Sequence, residues 1–253
     1  MDLHLQDKVA LVTGGSRGLG RAICLGLAAE GVKVGVNYNR GEAAAAEVVE
    51  AMQNLHAADG IALQGDVSKS ADVLRLFDQC EEEFGSIDIL VNNAGIWPTA
   101  FVRDMTEEEW DTTFDINLKS AFLSCREAVR RWLDAERGGR IVNITTQAAF
   151  HGSTTGHAHY AATKAGLVNF TVSLAREVAR SGIFVNAVAP GMMRTDMALE
   201  ALETNEEKYI QRTPLGRIAE PEEIADTVVF LASERASYTT GATFDATGGM
   251  LMR

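Results

Sequence analysis

The chain has 253 residues, 46% hydrophobic and 23% charged, and a formal net charge of -12 at pH 7. This balance fits a globular chain able to bury a sizeable core, and so acidic a surface excludes nucleic acid, whose phosphate backbone needs a basic face. No uncharged apolar run approaches the roughly 20 residues of a bilayer span, so no membrane partner is expected.

The opening stretch MDLHLQDKVALVTGG has no basic region, and its apolar run leads straight into a glycine loop. It reads as the start of a fold rather than a signal peptide, and a cytoplasmic location is expected. KVALVT at 8–13 is the first strand candidate. KVGVNY at 33–38, IALQGD at 61–66, IDILVNN at 87–93, GRIVNIT at 139–145, IFVNAVAP at 183–190 and GATFDA at 241–246 follow. Strands apolar throughout belong in a parallel sheet covered on both faces. Helical patterns lie between them, such as GRAICLGLAAEG at 20–31, EAAAAEVVEAMQNL at 42–55 and SADVLRLFDQCEEEFG at 70–85. Each ends near a glycine or a polar turn. The alternation predicts the α/β class: a single Rossmann-type doubly wound domain over 1–253, with a seven-stranded parallel sheet flanked by helices. Cys24, Cys80 and Cys125 are odd in number and scattered through helix-like segments. They read as buried, reduced thiols, and the five dispersed histidines offer no metal-ligand spacing, so no metal is expected.

The loop VTGGSRGLGRA follows the first strand and opens the first helix. Gly14, Gly18 and Gly20 let the backbone turn tightly and approach a pyrophosphate at the helix N-terminus. Gly14 to Gly18 also spell G-x-S-x-G, which would make Ser16 an acyl-transfer nucleophile. That elbow normally lies deep in a sheet, whereas one short strand precedes Ser16. The second strand ends VNYNRG, with Tyr38 where an NAD-binding fold carries an acid for the ribose 2′-hydroxyl. Arg40 just behind it and Arg17 in the glycine loop are two guanidiniums able to clamp a 2′-phosphate, so NADP is expected over NAD.

YAATKAG at 160–166 sets Tyr160 and Lys164 four residues apart, on one face of a helix. A phenol has a pKa of about 10, and an ammonium group one turn away is expected to lower it. After Pro190-Gly191 the strand–helix rhythm breaks into a long polar excursion, MMRTDMALEALETNEEKYIQRTPLGRIAEPEE. Its place at the carboxyl end of a parallel strand predicts a substrate lid over about 192–215.

TGGSRGLG at 13–20, NNAG at 92–95, YAATK at 160–164 and PG at 190–191 occur in this order. With them the chain resembles the short-chain dehydrogenase/reductase family from Lys8 to the C-terminus, and is most similar to its β-ketoacyl-acyl carrier protein reductases. The resemblance implies an NADP(H)-dependent enzyme that reduces a ketone to a secondary alcohol, on a small-molecule or acyl-carrier substrate, and assembles as a homotetramer. A sugar, steroid or diketone as substrate, and a dinucleotide-binding regulator of weak activity, are the alternatives.

By the same resemblance Tyr160 is the general acid, and Lys164 lowers its pKa and bonds the nicotinamide ribose. Asn117, in INLKSAF, holds a water of the proton relay. Gly14, Ser16, Arg17, Gly18, Leu19 and Gly20 form the phosphate loop, with Asn37, Tyr38, Asn39 and Arg40 at the end of the second strand. Asp66 and Val67 contact the adenine, and Asn93, Ala94 and Gly95 line the cofactor. Pro190, Gly191, Met193 and Thr195 reach its nicotinamide end. One position departs from the family: its catalytic serine is replaced within ITTQAAFHG by Thr146, next to Thr145, with Ser153 as the alternative. Threonine offers the same hydroxyl, with a methyl that restricts χ1 and crowds the substrate. Trp97 and Met192 are expected to face substrate with Thr146 and Tyr160. His151, His157 and His159 are read as structural hydrogen-bonders.

Overall fold

Val9 and Leu11 pack into one apolar layer and Ala10 and Val12 into another, so the first strand is buried on both faces. The computed structural model, which describes residues 2–252, repeats this division across a seven-stranded sheet. The strands are β1 Val9–Val12, β2 Lys33–Tyr38, β3 Gly60–Gln64, β4 Ile89–Asn92, β5 Gly139–Ile144, β6 Ile183–Pro190 and β7 Thr243–Ala246. All pairings are parallel, in the order β3-β2-β1-β4-β5-β6-β7. This is the expected doubly wound architecture.

Four of the observed strands, β1, β3, β4 and β5, stop short of the sequence runs at their polar carboxyl ends. Thr13, Asp66, Asn93 and Thr145 leave the ladder for loops. Those loops carry the site.

Helices α1 Gly18–Ala29, α2 Glu42–His56 and α3 Ser70–Phe84 follow the first three strands. After β4 come α4 Glu107–Phe114 and α5 Ser120–Asp134, joined without a break by a π-helical turn, Asp115–Lys119. A short helix, α6 Ala148–His151, precedes the long α7 Ala158–Val178. The excursion after β6 forms a 3-10 turn, Asp196–Ala198, and α8 Leu199–Arg212, kinked at Asn205. Helix α9, Pro221–Ala232, starts with proline in its first turn and a capping box between Glu220 and Glu223.

The packing has two layers. Ile23, Leu27, Val48, Met52 and Val228 from α1, α2 and α9 meet Ala10, Val12, Val34, Val36, Val91 and Val142 on one face. Phe77, Cys80, Cys125, Trp132, Leu174 and Val178 from α3, α5 and α7 meet Val9, Leu11, Leu90, Ile141 and Val185 on the other. The three cysteines are buried free thiols, as expected. The segment after β6 has a small core of its own, formed by Ala198, Leu202 and Ile218 with Met192, Tyr209 and Ile210. Among the described residues no helix is long and apolar enough to cross a membrane.

Trp132 anchors the second layer. It is 2% exposed, and its indole N–H donates to the Ile87 carbonyl at 2.7 Å. Trp132→Ala should lower the unfolding free energy by about 3–5 kcal/mol, the usual cost of emptying an aromatic core site. Urea titration followed by circular dichroism measures it, and a loss below 1 kcal/mol would mean that the layer collapses around the gap.

Candidate active site

The chain runs outward from β1 through β2 to β3, then returns to place β4 on the other side of β1. The loops after β1 and β4 therefore diverge at the carboxyl edge of the sheet and leave a crevice between them. A cavity of about 480 Å³ lies there.

Polar side chains fix the loops around it. The Thr13 hydroxyl donates to the Val91 carbonyl at 3.3 Å and accepts the Asn93 and Ala94 N–H groups at 3.0 Å each. The Asn93 amide donates to the Thr13 and Gly14 carbonyls, both at 3.0 Å. Asn37 accepts the Gly14 N–H at 3.1 Å and donates to the Gly65 carbonyl at 3.0 Å. Gly14 and Gly18 have φ of +63° and +50°, and a β-carbon on Gly20 would collide with the Gly14 carbonyl oxygen. The loop can take this path only with glycine at those positions.

The whole expected dinucleotide set lines the cavity: Gly14, Ser16, Arg17, Gly18, Leu19, Gly20, Asn37, Tyr38, Asn39, Arg40, Asp66, Val67, Asn93, Ala94, Gly95, Tyr160, Lys164, Pro190, Gly191, Met193 and Thr195. At the β2 end, the Tyr38 ring is buried and Arg17 and Arg40 are exposed. Neither arginine has an ion pair among the described residues. Asp66 accepts from the backbone and hydroxyl of Ser68 at 3.1 and 2.7 Å, and pairs with Lys69 at 3.6 Å.

At the opposite end, Tyr160 and Lys164 project from the first two turns of α7. Lys164 is 4% exposed, and its ammonium donates to the Ile144 carbonyl at 2.7 Å. Burial brings the Lys164 pKa down to about 8. Burial also pushes the Tyr160 phenol up to about 12, against the smaller, opposite effect of a hydrogen bond with Thr146. The expected lowering of Tyr160 by Lys164 is therefore absent. The ammonium stands 6.0 Å from the phenol ring centroid, and burial is the largest influence on the phenol.

Thr146 lines the cavity and accepts the Ala148 N–H at 3.4 Å. Ser153 is elsewhere, its hydroxyl engaged with Thr155 at 3.2 Å and His157 at 3.4 Å. Asn117, in the π turn, is 1% exposed and does not line the cavity. Its side chain clamps Ile96, accepting the N–H at 2.8 Å and donating to the carbonyl at 2.9 Å, and reaches Thr163 at 3.4 Å. Gly95 lies beside it. A β-carbon there would meet Asn117 Oδ1 at 3.1 Å and Lys164 Nζ at 3.6 Å, so a side chain would crowd those two polar atoms.

Two expected substrate contacts are not on the cavity wall. Met192 packs into the small core of the excursion, and Met197 lines the cavity instead. A methionine's facing here depends on how α8 folds back, which no local pattern specifies. Trp97 stands outside the cavity wall but 6.4 Å from the Tyr160 ring. No histidine lines the cavity, so Ser16 has no imidazole base for acyl transfer. Among the described residues no cluster of His, Cys, Asp and Glu can hold a metal. Gly65, Ile96, Ile116, Ile144, Thr145 and Asp196 complete the wall. Most are chain neighbours of the motif residues, which is the only trace of them in the sequence.

A family model described as Enoyl-(Acyl carrier protein) reductase matches residues 14–251. A 3-oxoacyl-[acyl-carrier-protein] reductase of Synechocystis sp. is 45% identical over 250 residues, covering 98% of this chain and 98% of the relative. One from Staphylococcus epidermidis is 42% identical over 246 residues, covering 97% of this chain and all of its own. A Serratia marcescens short-chain dehydrogenase/reductase, solved as a double mutant, superposes with a TM-score of 0.91 at 34% identity, covering 98% of this chain and 99% of its own.

Titration tests the electrostatics of this pair directly. Without dinucleotide, the Tyr160 phenolate should form only near pH 12. The absorbance difference between wild type and Tyr160→Phe should then show no phenolate step in the ordinary tyrosine range near pH 10. A step there would mean that the Lys164 charge outweighs burial.

Proposed function

The chain belongs to the short-chain dehydrogenase/reductase family of oxidoreductases, and from that premise we propose that it reduces a ketone to a secondary alcohol with NADPH, in the manner of a 3-oxoacyl thioester reductase. The observation that carries this reading is the hydroxyl pair Tyr160–Thr146, hydrogen-bonded on the cavity wall next to the buried Lys164. Two neighbouring hydroxyls on one cavity wall suit a single carbonyl oxygen. They favour ketone reduction over reduction of the carbon–carbon double bond that the family model's description names.

The cavity residues fit a dinucleotide. A glycine loop that tolerates no β-carbon at Gly20 admits a pyrophosphate at the N-terminus of α1. The unpaired Arg17 and Arg40, with Tyr38 in place of an acid, suit a 2′-phosphate. NADPH, when bound, supplies the hydride that reduces the carbonyl carbon.

The chain's own groups handle the oxygen and the proton. Tyr160, protonated across the neutral range like any phenol and the more so for its burial, donates its proton to the oxygen as charge develops there. Thr146 donates a hydrogen bond to the same oxygen. Lys164 is largely protonated at pH 7 with a pKa of about 8, and returns a proton toward Tyr160. The water that completes the relay is assigned to Asn117, buried beside Gly95. The segment 192–215 serves as the lid, with Met197 facing the site. The homotetramer and the cytoplasmic location follow from the family reading; Trp110 on α4 and Phe122 and Leu133 on α5 are exposed apolar side chains that another copy of the chain could cover.

NADPH should bind more tightly than NADH, and Tyr38→Asp should reverse the order by repelling the 2′-phosphate. Calorimetry on both proteins decides it, and equal affinities in wild type would exclude selection by the arginines.

Thr146→Val keeps the side chain's shape and removes its hydroxyl. It should lower kcat by about 10²–10³, the cost of losing an oxyanion donor, while leaving NADPH affinity intact. Thr146→Ser should keep activity, and Tyr160→Phe should lose about 10²-fold or more. A silent Thr146→Val beside a crippling Ser153→Ala would move the role to Ser153.

A further inference from the structure

His157 and Trp97 form a unit that the reaction as described leaves unused. Their rings stack at 4.6 Å between centroids, 20° from parallel. His157 is 6% exposed and holds partners at both nitrogens: Thr99 at Nε2, 3.1 Å, and Thr155 at Nδ1, 3.0 Å. It is also the N-cap residue of α7, three residues before Tyr160, and its carbonyl accepts the Ala161 N–H at 2.9 Å. The Trp97 loop is joined to it again through a parallel bridge between Ala100 and His157, and through the Ala100 N–H donating to Gly156 at 2.7 Å. Trp97 is thus fixed to the start of the helix that carries the proton donor.

The Trp97 ring stands 6.4 Å from that of Tyr160, tilted by 55°, and keeps part of its surface exposed. A ketone whose oxygen reaches the Tyr160 and Thr146 hydroxyls must place one substituent within reach of the indole. The charges around the cavity limit what else that ketone carries. The cations on its wall are Arg17 and Arg40, in the glycine loop and just past β2, and Lys164, which is held by Ile144. Asp196, beside Met197, is the charged residue that the excursion contributes. Among the described residues on the cavity wall, no cation besides Lys164 stands at the Tyr160 end to receive a substrate carboxylate or phosphate.

We infer that Trp97, held flat by His157 just beyond the cavity wall and beside Tyr160, is a specificity-determining residue that selects uncharged ketones with an aromatic group beside the carbonyl. This rests on the reductase reading above and names the substrate class for it. His157 is a positioning residue: it acts on substrate only through Trp97. An aromatic pair of this kind is worth a roughly three- to tenfold preference over an aliphatic group of similar area.

Three ketones separate the possibilities with NADPH as reductant: acetophenone, 2-octanone with the same number of carbons, and phenylglyoxylate, which adds a carboxylate beside the carbonyl. Wild type should favour acetophenone over 2-octanone by roughly three- to tenfold in kcat/KM, with phenylglyoxylate poorest. Trp97→Ala should bring the first ratio to about one, through KM rather than kcat, because the contact is made equally in the ground and transition states. His157→Ala should do the same, and His157→Phe, which keeps a ring under the indole, should restore the preference. Acetophenone should quench the intrinsic fluorescence of wild type but not of Trp97→Phe. An unchanged ratio in Trp97→Ala, or a wild-type preference for phenylglyoxylate, overturns the inference while leaving the reductase intact. A wild type that reduces none of these ketones, nor a 3-oxoacyl thioester, overturns the reductase reading and this inference with it.

Discussion

The Thr13 hydroxyl holds the two halves of the sheet together at the point where the strand order reverses. It bonds to β4 through Val91 and receives the N–H groups of Asn93 and Ala94, so one oxygen fixes both banks of the crevice. Asn93 returns the connection by bonding the Thr13 and Gly14 carbonyls. Buried polar groups of this sort are stabilising only when every member is satisfied, and here they form a closed set. The loop can then carry glycine at 14, 18 and 20 and still keep its shape. The N-terminus of α1, the floor under Gly95 and the approach to Lys164 are all placed relative to it.

The two ends of the cavity work by opposite electrostatics. At the β2 end the cations are exposed and unpaired, and they keep their charge for a ligand. At the α7 end the ionisable groups are desolvated, which holds Tyr160 neutral and weakens the proton affinity of Lys164. A tyrosine near 12 beside a lysine near 8 keeps its proton until a substrate oxygen of greater basicity arrives.

The sheet, the glycine loop and the helix bearing Tyr160 are legible in the sequence because each rests on a local period or on the absence of a β-carbon. Apolar runs such as IDILVNN belong to both layers at once, and no other environment accommodates them. What is not legible depends on meetings across the chain. The Thr13 and Asn37 scaffolding joins residues far apart in sequence, and the Trp97–His157 stack joins two loops. Burial, a tertiary quantity, bears on the pKa of Tyr160, and helical spacing carries no information about it. Met192 and Met197 are indistinguishable as letters. The way α8 folds back decides which one reaches the cavity.

The π turn between α4 and α5 sets the phase of the longest continuous helical stretch in the fold. An α-helix advances about 100° per residue, so the wider turn at Asp115–Lys119 rotates everything beyond it relative to everything before it. Asn117 faces inward from the turn itself, and Cys125, Ala128 and Trp132 meet the sheet only because the rotation has already occurred. Losing one residue here would restore an ordinary ladder of hydrogen bonds and at the same time swing either the Asn117 clamp or the Trp132 face away from its partner. The chain is therefore free to change length in its surface loops but not in this helix, where length and orientation are the same variable.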